Sequence, residues 1–257
     1  MEYKPSFLHQ NKPLNTCMIQ TTTIAAAIRN VRDGKQNGAD AFGFQLEKIP
    51  DAERSEEKLK SLFAEMGRCP AYVTNYRYNE NEGKTDEELF EGLMEMLRCG
   101  ATLVDIMGDY FAPDPIQVTM DPAAIEKQKE IIQKVHDAGG EVLMSSHVLK
   151  YIPPEEVLRI AKEHQSRGAD IAKIVTSADT EEEELENLRA VRLLRKELDI
   201  PFLFLCGGKY HKLLRAVGPL MGCCTWLTVL EHDELATLSQ PLTRSIRAIA
   251  ENFDIMF

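Results

Sequence analysis

A lysine inside an apolar strand and a histidine at the end of the strand before it are the residues best suited to covalent chemistry. Lys173 interrupts the apolar run 170–175, and His147 closes the run 141–147. Burial disfavours the charged form of a lysine, and the neutral amine can attack a carbonyl to form a Schiff base. Histidine changes charge near neutral pH and can move protons. The pair therefore predicts an imine-forming site, provided that the two strands are neighbours.

Each of these residues also has a structural interpretation that the sequence leaves open. Lys173 could instead point toward a layer of helices, where its ammonium group would reach water or pair with an acid. His147 could be a hydrogen-bonded loop histidine. The pair favours chemistry more than either residue does alone, because two such side chains are expected at the same strand ends.

Arginines near two other strand ends are candidates for binding an anionic group. Arg215 follows the loop 206–209, whose glycines let a ligand approach the backbone. A guanidinium can hold a carboxylate through two parallel hydrogen bonds. Arg77, just past the third predicted strand, is a candidate for the same role. The alternative for both arginines is a structural one, in which each lies on the surface of a helix. Because no H-E-x-x-H or comparable ligand spacing occurs, we predict no metal.

The elements that must position these residues form a repeated alternation of strands and helices. Eight short and largely apolar segments are typical of parallel strands covered by helices. The predicted strands are 16–20, 39–46, 71–76, 102–106, 141–145, 170–175, 202–205 and 222–227. Capping boxes at Thr85 and Thr180, and Asp121 before a proline, predict helix starts between them.

Eight strands, each followed by a helix, predict an α/β protein with the (β/α)₈ TIM-barrel fold. We predict one domain over residues 1–257, with about residues 1–14 as an N-terminal extension. The alternative is a doubly wound open sheet, which is less favoured because no G-x-G-x-x-G turn follows the first strand. In a barrel the active site lies at the carboxyl ends of the strands. This is where the sequence puts Lys173 and His147.

Composition and charge narrow the classes of function. The chain has 257 residues and a formal net charge of −11, so its surface repels phosphate backbones and anionic membranes. The sequence has no run of about 18 apolar residues, so no membrane span is predicted. The six cysteines form no C-x-x-C pair and are expected to be reduced thiols of a cytoplasmic protein. We therefore predict no nucleic-acid or membrane partner, and an anionic substrate would need a local cationic pocket.

The segments around these residues resemble the type I 3-dehydroquinate dehydratase family. The resemblance is carried by Met144-Ser-Ser-His147, Pro153-Pro154-Glu-Glu, Gly168-Ala-Asp-Ile-Ala-Lys173-Ile, the run from Gly208-Lys209 through Leu214-Arg215, and Gln240. It implies that Lys173 forms the imine and that His147 is the acid–base group. It also implies that Arg215 and Gln240 hold the substrate carboxylate, with Arg77 and Gln45 as further substrate-binding candidates.

The sequence departs from the family pattern at several binding positions. Gly43 and Gln45 stand where the family has a glutamate and an arginine in the second strand. Arg77 is displaced by one position from the third-strand arginine. Met107 replaces a glutamate of the fourth strand, and Ala236 falls where the family has a serine. The imine chemistry is thus expected to be retained, while contacts to the ring hydroxyls and carboxylate are expected to differ.

The resemblance implies a lyase that removes water from 3-dehydroquinate to give 3-dehydroshikimate, in the shikimate pathway of aromatic amino acid biosynthesis, with no metal or organic cofactor. The departures at Gly43 and Gln45 leave two alternatives open. One is a paralogue that uses the same imine as a dehydratase, aldolase or decarboxylase on another oxo acid. The other is a barrel that binds a metabolite without turnover. The expected partner is a small-molecule oxo acid, and a homodimer is left open.

Overall fold

Eight strands alternate with helices over the part of the chain that the computed structural model describes, residues 5–8 and 10–253. The strands are β1 (Leu14–Ile19), β2 (Ala41–Gln45), β3 (Ala71–Thr74), β4 (Leu103–Met107), β5 (Glu141–His147), β6 (Ile171–Ser177), β7 (Phe202–Gly207) and β8 (Thr225–Thr228). The helices are α1 (Ile24–Gln36), α2 (Glu56–Met66), α3 (Asp86–Cys99), α4 (Pro122–Asp137), α5 (Pro154–Ser166), α6 (Glu181–Glu197), α7 (Lys212–Met221) and α8 (Thr243–Phe253). Short 3-10 helices cover Leu46–Lys48, Asp51–Glu53 and Asn79–Asn81.

The described residues group into two compact units. The first contains the residues up to Asp105 and those from Leu227 onward, and the second is Ile106–Trp226. The first unit contains β1, β2 and β3 in the order β1-β2-β3, the second contains β5, β6 and β7 in the order β5-β6-β7, and β4 and β8 each span a boundary. The pairs β1–β2, β2–β3, β3–β4, β5–β6 and β6–β7 are parallel.

This element order is that of a (β/α)₈ barrel, and the predicted fold class is confirmed. The single domain over residues 1–257 stays a prediction. So does the N-terminal extension, of which residues 1–4 and 9 lie outside the described residues. Within the described part, no helix has both the length and the apolar character needed to span a membrane.

Helices begin where side chains satisfy the free amides of the first turn. Thr85 and Thr180 each form a complete capping box with the residue three positions on, as predicted. The Asp121 carboxylate accepts a hydrogen bond from the Ala124 amide, and proline occupies the first helical position. These local contacts fix where α3, α4 and α6 begin, and hence the lengths of the loops that precede them.

Packing of the helices onto the sheet sets which strand residues face away from them. In the second unit an apolar core joins β6 and β7 to α5 and α6. Its members include Val157, Ile160, Ala161, Ala172, Ile174, Ala190, Val191, Leu194, Phe202, Phe204 and Cys206. Successive strand residues point to opposite faces, so the residues between these core positions face the other side of the sheet.

The first unit shows the same alternation at β2. Gly34 of α1 lies so close to Phe42 that an added Cβ would be 2.6 Å from the ring. Phe42 therefore faces the helix, and Gly43 faces the opposite side. There Met18 fills the space, since a Cβ on Gly43 would lie 2.2 Å from the Met18 sulfur.

Candidate active site

Lys173 lies on the face of β6 that points away from the helices. Its neighbours Ala172 and Ile174 both belong to the apolar core under the helices, so alternation turns Lys173 to the other face. The side chain is buried, with 4% of its surface exposed. Parallel pairing places it in register with Ser145 of β5 and Leu203 of β7. The alternative in which the lysine points into the helix layer is wrong.

His147 lies on the same face as Lys173, on the neighbouring strand. Lys173 is in register with Ser145, and His147 is two residues further along β5. Two residues of a parallel strand advance about 6.6 Å, and they share one face. His147 is the last residue of β5, and Lys173 lies on the same face of the adjacent β6, so strand pairing brings the predicted acid–base and imine-forming residues close together within a single unit.

A residue that sequence reasoning missed, Gln117, binds His147. The Gln117 side-chain oxygen Oε1 accepts a hydrogen bond from the His147 backbone amide at 2.9 Å, and it lies 2.9 Å from His147 Nδ1. Gln117 belongs to the loop between β4 and α4. No strand or helix periodicity marks this loop residue, so the sequence carries no local signal for its contact with β5.

Arg215 lies on α7 as a buried arginine with 9% of its surface exposed. Its Nε donates a hydrogen bond to the Cys206 carbonyl at 2.9 Å, which ties the guanidinium to the end of β7. Among the described residues, no carboxylate forms an ion pair with it. Burial lowers the pKa of Arg215 because desolvation penalises the charged form. A buried guanidinium without a carboxylate is costly, and an anionic ligand would offset that cost.

The glycine at the start of the β7–α7 loop has a structural reason for its identity. Gly208 has a φ of +78°, and an added Cβ would lie 2.4 Å from Ser177 Oγ and 2.6 Å from the Ala178 carbonyl oxygen. A residue with a side chain would be strained here and would push the loops after β6 and β7 apart. The glycine therefore keeps the segment preceding Arg215 close to the end of β6.

Gln45 and the segment that carries Gln240 are linked through Gln20 in the first unit. Gln20 Nε2 donates to Gln45 Oε1 at 2.7 Å and to Thr237 Oγ1 at 2.8 Å, and its Oε1 accepts from the Thr237 amide at 2.8 Å. Gln240 is buried, with 7% exposed, and within the described residues its side-chain oxygen has no hydrogen-bond partner. Gln20 thus joins Gln45 to Thr237, whose carbonyl accepts a hydrogen bond from the Gln240 backbone amide, and the role of both predicted glutamines in binding substrate stays a prediction.

Arg77 makes a bidentate ion pair with the first turn of α3. Its Nε and Nη2 bond the two oxygens of Asp86 at 2.7 and 2.8 Å. This bidentate ion pair joins the loop after β3 to the first turn of α3. Substrate binding by Arg77 stays a prediction, with the ion pair as an observed competing role.

A buried acidic and phenolic cluster occupies the ends of β2, β3 and β4, and sequence reasoning missed it. The hydroxyls of Tyr72 and Tyr76 both donate to the Asp105 carboxylate. Thr74 Oγ1 lies 2.9 Å from both oxygens of Glu47, which is fully buried. Desolvation raises the pKa of Glu47 to about 7. Alternate polar residues along β3, with a period of two, were the available sequence signal.

The six cysteines are all free. No three metal-binding side chains of the described residues lie close enough together to share an ion, and the absence of a metal or organic cofactor stays a prediction.

Fold and site together define a (β/α)₈ protein whose candidate active site contains a buried lysine on β6 and a histidine at the carboxyl end of β5. A family model, "Type I 3-dehydroquinase", matches residues 16–256. The chain belongs to this family, and the resemblance seen in the sequence is confirmed.

Individual relatives are distant in sequence. A 3-dehydroquinate dehydratase of Aromatoleum aromaticum is 24% identical over 77% of each chain. One of Alkaliphilus oremlandii is 30% identical over 37% of this chain and 38% of the relative's length. A crystal structure of the type I 3-dehydroquinate dehydratase of Clostridium difficile with covalently modified comenic acid superposes with a TM-score of 0.78 at 16% identity, covering 96% of this chain and 94% of that one. At this identity the superposition shows the fold.

Proposed function

We propose that this protein is a lysine-dependent 3-dehydroquinate dehydratase, a carbon–oxygen lyase that converts 3-dehydroquinate to 3-dehydroshikimate and water. The observation that carries the proposal is the placement of Lys173, which is buried and faces away from the helices, with His147 on the same face of the next strand. The family and the names of its curated members support the substrate.

Lys173 supplies the electron sink of the proposed reaction. Its amine adds to the ketone carbon of the substrate, and the resulting carbinolamine loses its hydroxyl as water to give an iminium ion. The iminium draws electrons from the adjacent carbon and makes its hydrogen acidic. The attack requires the neutral amine, and the Lys173 side chain lies in a buried position with 4% of its surface exposed.

His147 moves the protons in the same scheme. It removes the hydrogen from the carbon next to the iminium, which leaves an enamine. The enamine electrons then expel the hydroxyl one carbon further on, and His147 returns its proton so that the group leaves as water. Addition of water to the remaining iminium releases 3-dehydroshikimate and restores the free amine of Lys173.

In the proposed complex Arg215 binds the substrate carboxylate, and Gln240 is a further proposed substrate-binding residue. The Arg215 guanidinium has no carboxylate partner among the described residues, and its Nε is held by the Cys206 carbonyl. The buried Gln240 side chain has its oxygen without a partner in the same part of the chain. The Arg215 guanidinium therefore has donors left for a carboxylate, whereas the Gln240 oxygen can only accept a hydrogen bond, as from a substrate hydroxyl. We also propose a cytoplasmic location, supported by six cysteines without a disulfide.

Reductive trapping tests the proposal directly. The purified protein is incubated with 3-dehydroquinate and sodium borohydride, and the modified peptide is identified by mass spectrometry. The expected result is one reduced adduct on Lys173, together with absorbance growth from 3-dehydroshikimate when borohydride is omitted. Methionine fills a volume similar to that of lysine, so the Lys173→Met variant should keep the fold while losing both the adduct and the turnover.

The matched control is Lys162→Met, which changes an exposed lysine on α5 and should retain both. An adduct at another lysine would contradict the role of Lys173. An adduct on Lys173 with a different oxo acid, combined with no turnover of 3-dehydroquinate, would keep the imine and reject the substrate.

A further inference from the structure

We infer that Gln117 is the positioning residue of His147, which fixes the orientation of the imidazole and the nitrogen that carries its proton. The inference concerns a contact between the β4–α4 loop and the end of β5, both within the unit Ile106–Trp226. The effect of Gln117 on catalysis rests on the proposed function, whereas the orientation and protonated nitrogen of His147 can be measured without turnover.

The hydrogen bonds determine which imidazole nitrogen is protonated. The His147 backbone amide can only donate, so the Gln117 atom that it meets at 2.9 Å is the side-chain oxygen. The same oxygen lies 2.9 Å from His147 Nδ1. Since this oxygen carries no hydrogen, Nδ1 must carry one and donate it. A neutral imidazole has a single N–H, so its Nε2 is left as the proton acceptor.

Gln117 is itself held in place through its backbone. Its carbonyl accepts a hydrogen bond from Ser146 Oγ at 2.6 Å, and the Ser146 oxygen lies 2.9 Å from His164 Nε2. Because the Ser146 hydrogen goes to Gln117, His164 is the donor in the second contact. Gln117 has a φ of +51°, a left-handed conformation that a non-glycine residue keeps only where surrounding contacts fix it.

The rest of the loop is packed so tightly that Gln117 has a defined location. A Cβ on Gly108 would lie 2.7 Å from the Gln117 carbonyl oxygen and 3.0 Å from Ser146 Oγ. The buried Arg167 guanidinium donates to the Gly108 carbonyl at 2.8 Å and to the Thr119 carbonyl at 2.6 Å. The loop is therefore bound at both ends, and the side chain of Gln117 meets His147 from a rigid base.

The chemistry of the acceptor distinguishes a positioning role from a charge effect. A carboxylate at this place would orient the ring and also favour its protonated form. An amide oxygen orients the ring without adding charge. The arrangement thus suits a histidine that must be neutral when it accepts a proton and must present Nε2 to the substrate.

Nitrogen-15 NMR of the histidine side chains, recorded as a function of pH, tests the inference. The variants are Gln117→Leu and Gln117→Glu, the control is the exposed Gln133→Leu on α4, and His147→Asn assigns the resonance. We expect the Nδ1–H tautomer for neutral His147 in the parent and in the control, and its loss in Gln117→Leu. Gln117→Glu should retain the tautomer and move the protonation midpoint to higher pH.

Kinetics give a second readout. Gln117→Leu should lower kcat by about 10-fold or more, up to the 10²–10⁴-fold typical of a whole acid–base group, with little change in KM. Gln117→Glu should recover part of kcat and shift the corresponding limb of the pH–rate profile upward. A tautomer and pH limb unaffected by both Gln117 variants would overturn the inference. If the parent turns over no 3-dehydroquinate, the proposed function fails, while the NMR result still decides the role of Gln117.

Discussion

Replacing Arg215 with methionine separates the two costs of a buried arginine. The side chain is 9% exposed and donates one hydrogen bond, from Nε to the Cys206 carbonyl. Loss of that charge-assisted bond costs about 1.5–3 kcal/mol. Removal of the charge relieves a desolvation penalty of several kcal/mol, which roughly offsets the lost bond together with the carbonyl left without its donor. We therefore expect the free energy of unfolding to change by no more than about 1 kcal/mol.

Activity should respond far more strongly than stability. If the guanidinium holds the substrate carboxylate with two hydrogen bonds of about 1.5–3 kcal/mol each, transition-state binding weakens by about 3–6 kcal/mol. At 1.36 kcal/mol per tenfold, kcat/KM of Arg215→Met should fall by about 10²–10⁴-fold.

The measurements for Arg215→Met are urea unfolding and the absorbance assay for 3-dehydroshikimate. The control is Arg192→Met, an exposed arginine on α6, which should change neither quantity much. If Arg215→Met keeps kcat/KM within about threefold, the residue does not bind the substrate. A loss of stability above about 3 kcal/mol would make its role structural.

Three further predictions concern the first unit. Burial raises the pKa of Glu47 from its ordinary value near 4.5 to about 7, so its contribution to stability is present below pH 4.5 and is lost as the pH rises through 7. The free energy of unfolding, measured with urea, should therefore fall by about 3 kcal/mol more in the parent than in Glu47→Gln between pH 4.5 and pH 8. The same difference in free energy between the two proteins at both pH values would contradict this. Arg77→Gln, which breaks the pair with Asp86, should lower stability by about 1 kcal/mol and leave kcat/KM nearly unchanged; a loss above tenfold would assign Arg77 to substrate binding. Gly43→Ala places a Cβ against Met18 and should cost about 1–3 kcal/mol in unfolding experiments, a cost that a Met18→Ala background should reduce.

The sequence predicts the strands and helices of this protein well, because they depend on local patterns of apolar and capping residues. All eight predicted strands are present within a few residues, and the capping signals mark true helix starts. The direction of Lys173 could also have been deduced, since its immediate neighbours in β6 are small or branched apolar residues of the kind that face helices. Alternation then leaves one face for the lysine.

The contacts that complete the candidate site depend on distant parts of the chain. Gln117 meets His147 across 30 residues, through a left-handed backbone conformation that its side chain does not favour. The Asp105 carboxylate accepts hydrogen bonds from the hydroxyls of Tyr72 and Tyr76, which are 33 and 29 residues away in the chain. Neither arrangement follows from periodicity, because it depends on which strands lie side by side and on how loops fold over them.

The assignment of residues to the two units has a consequence for the effect of mutations. Lys173, His147 and Arg215 lie in the unit Ile106–Trp226, as does the departure Met107, whereas the departures Gly43, Gln45 and Ala236 lie in the other unit. Substitutions can therefore accumulate around the second strand without touching the residues that would form the imine and move protons. Changes in the contacts around the second strand and changes in the imine chemistry would thus arise from substitutions in different stretches of the chain.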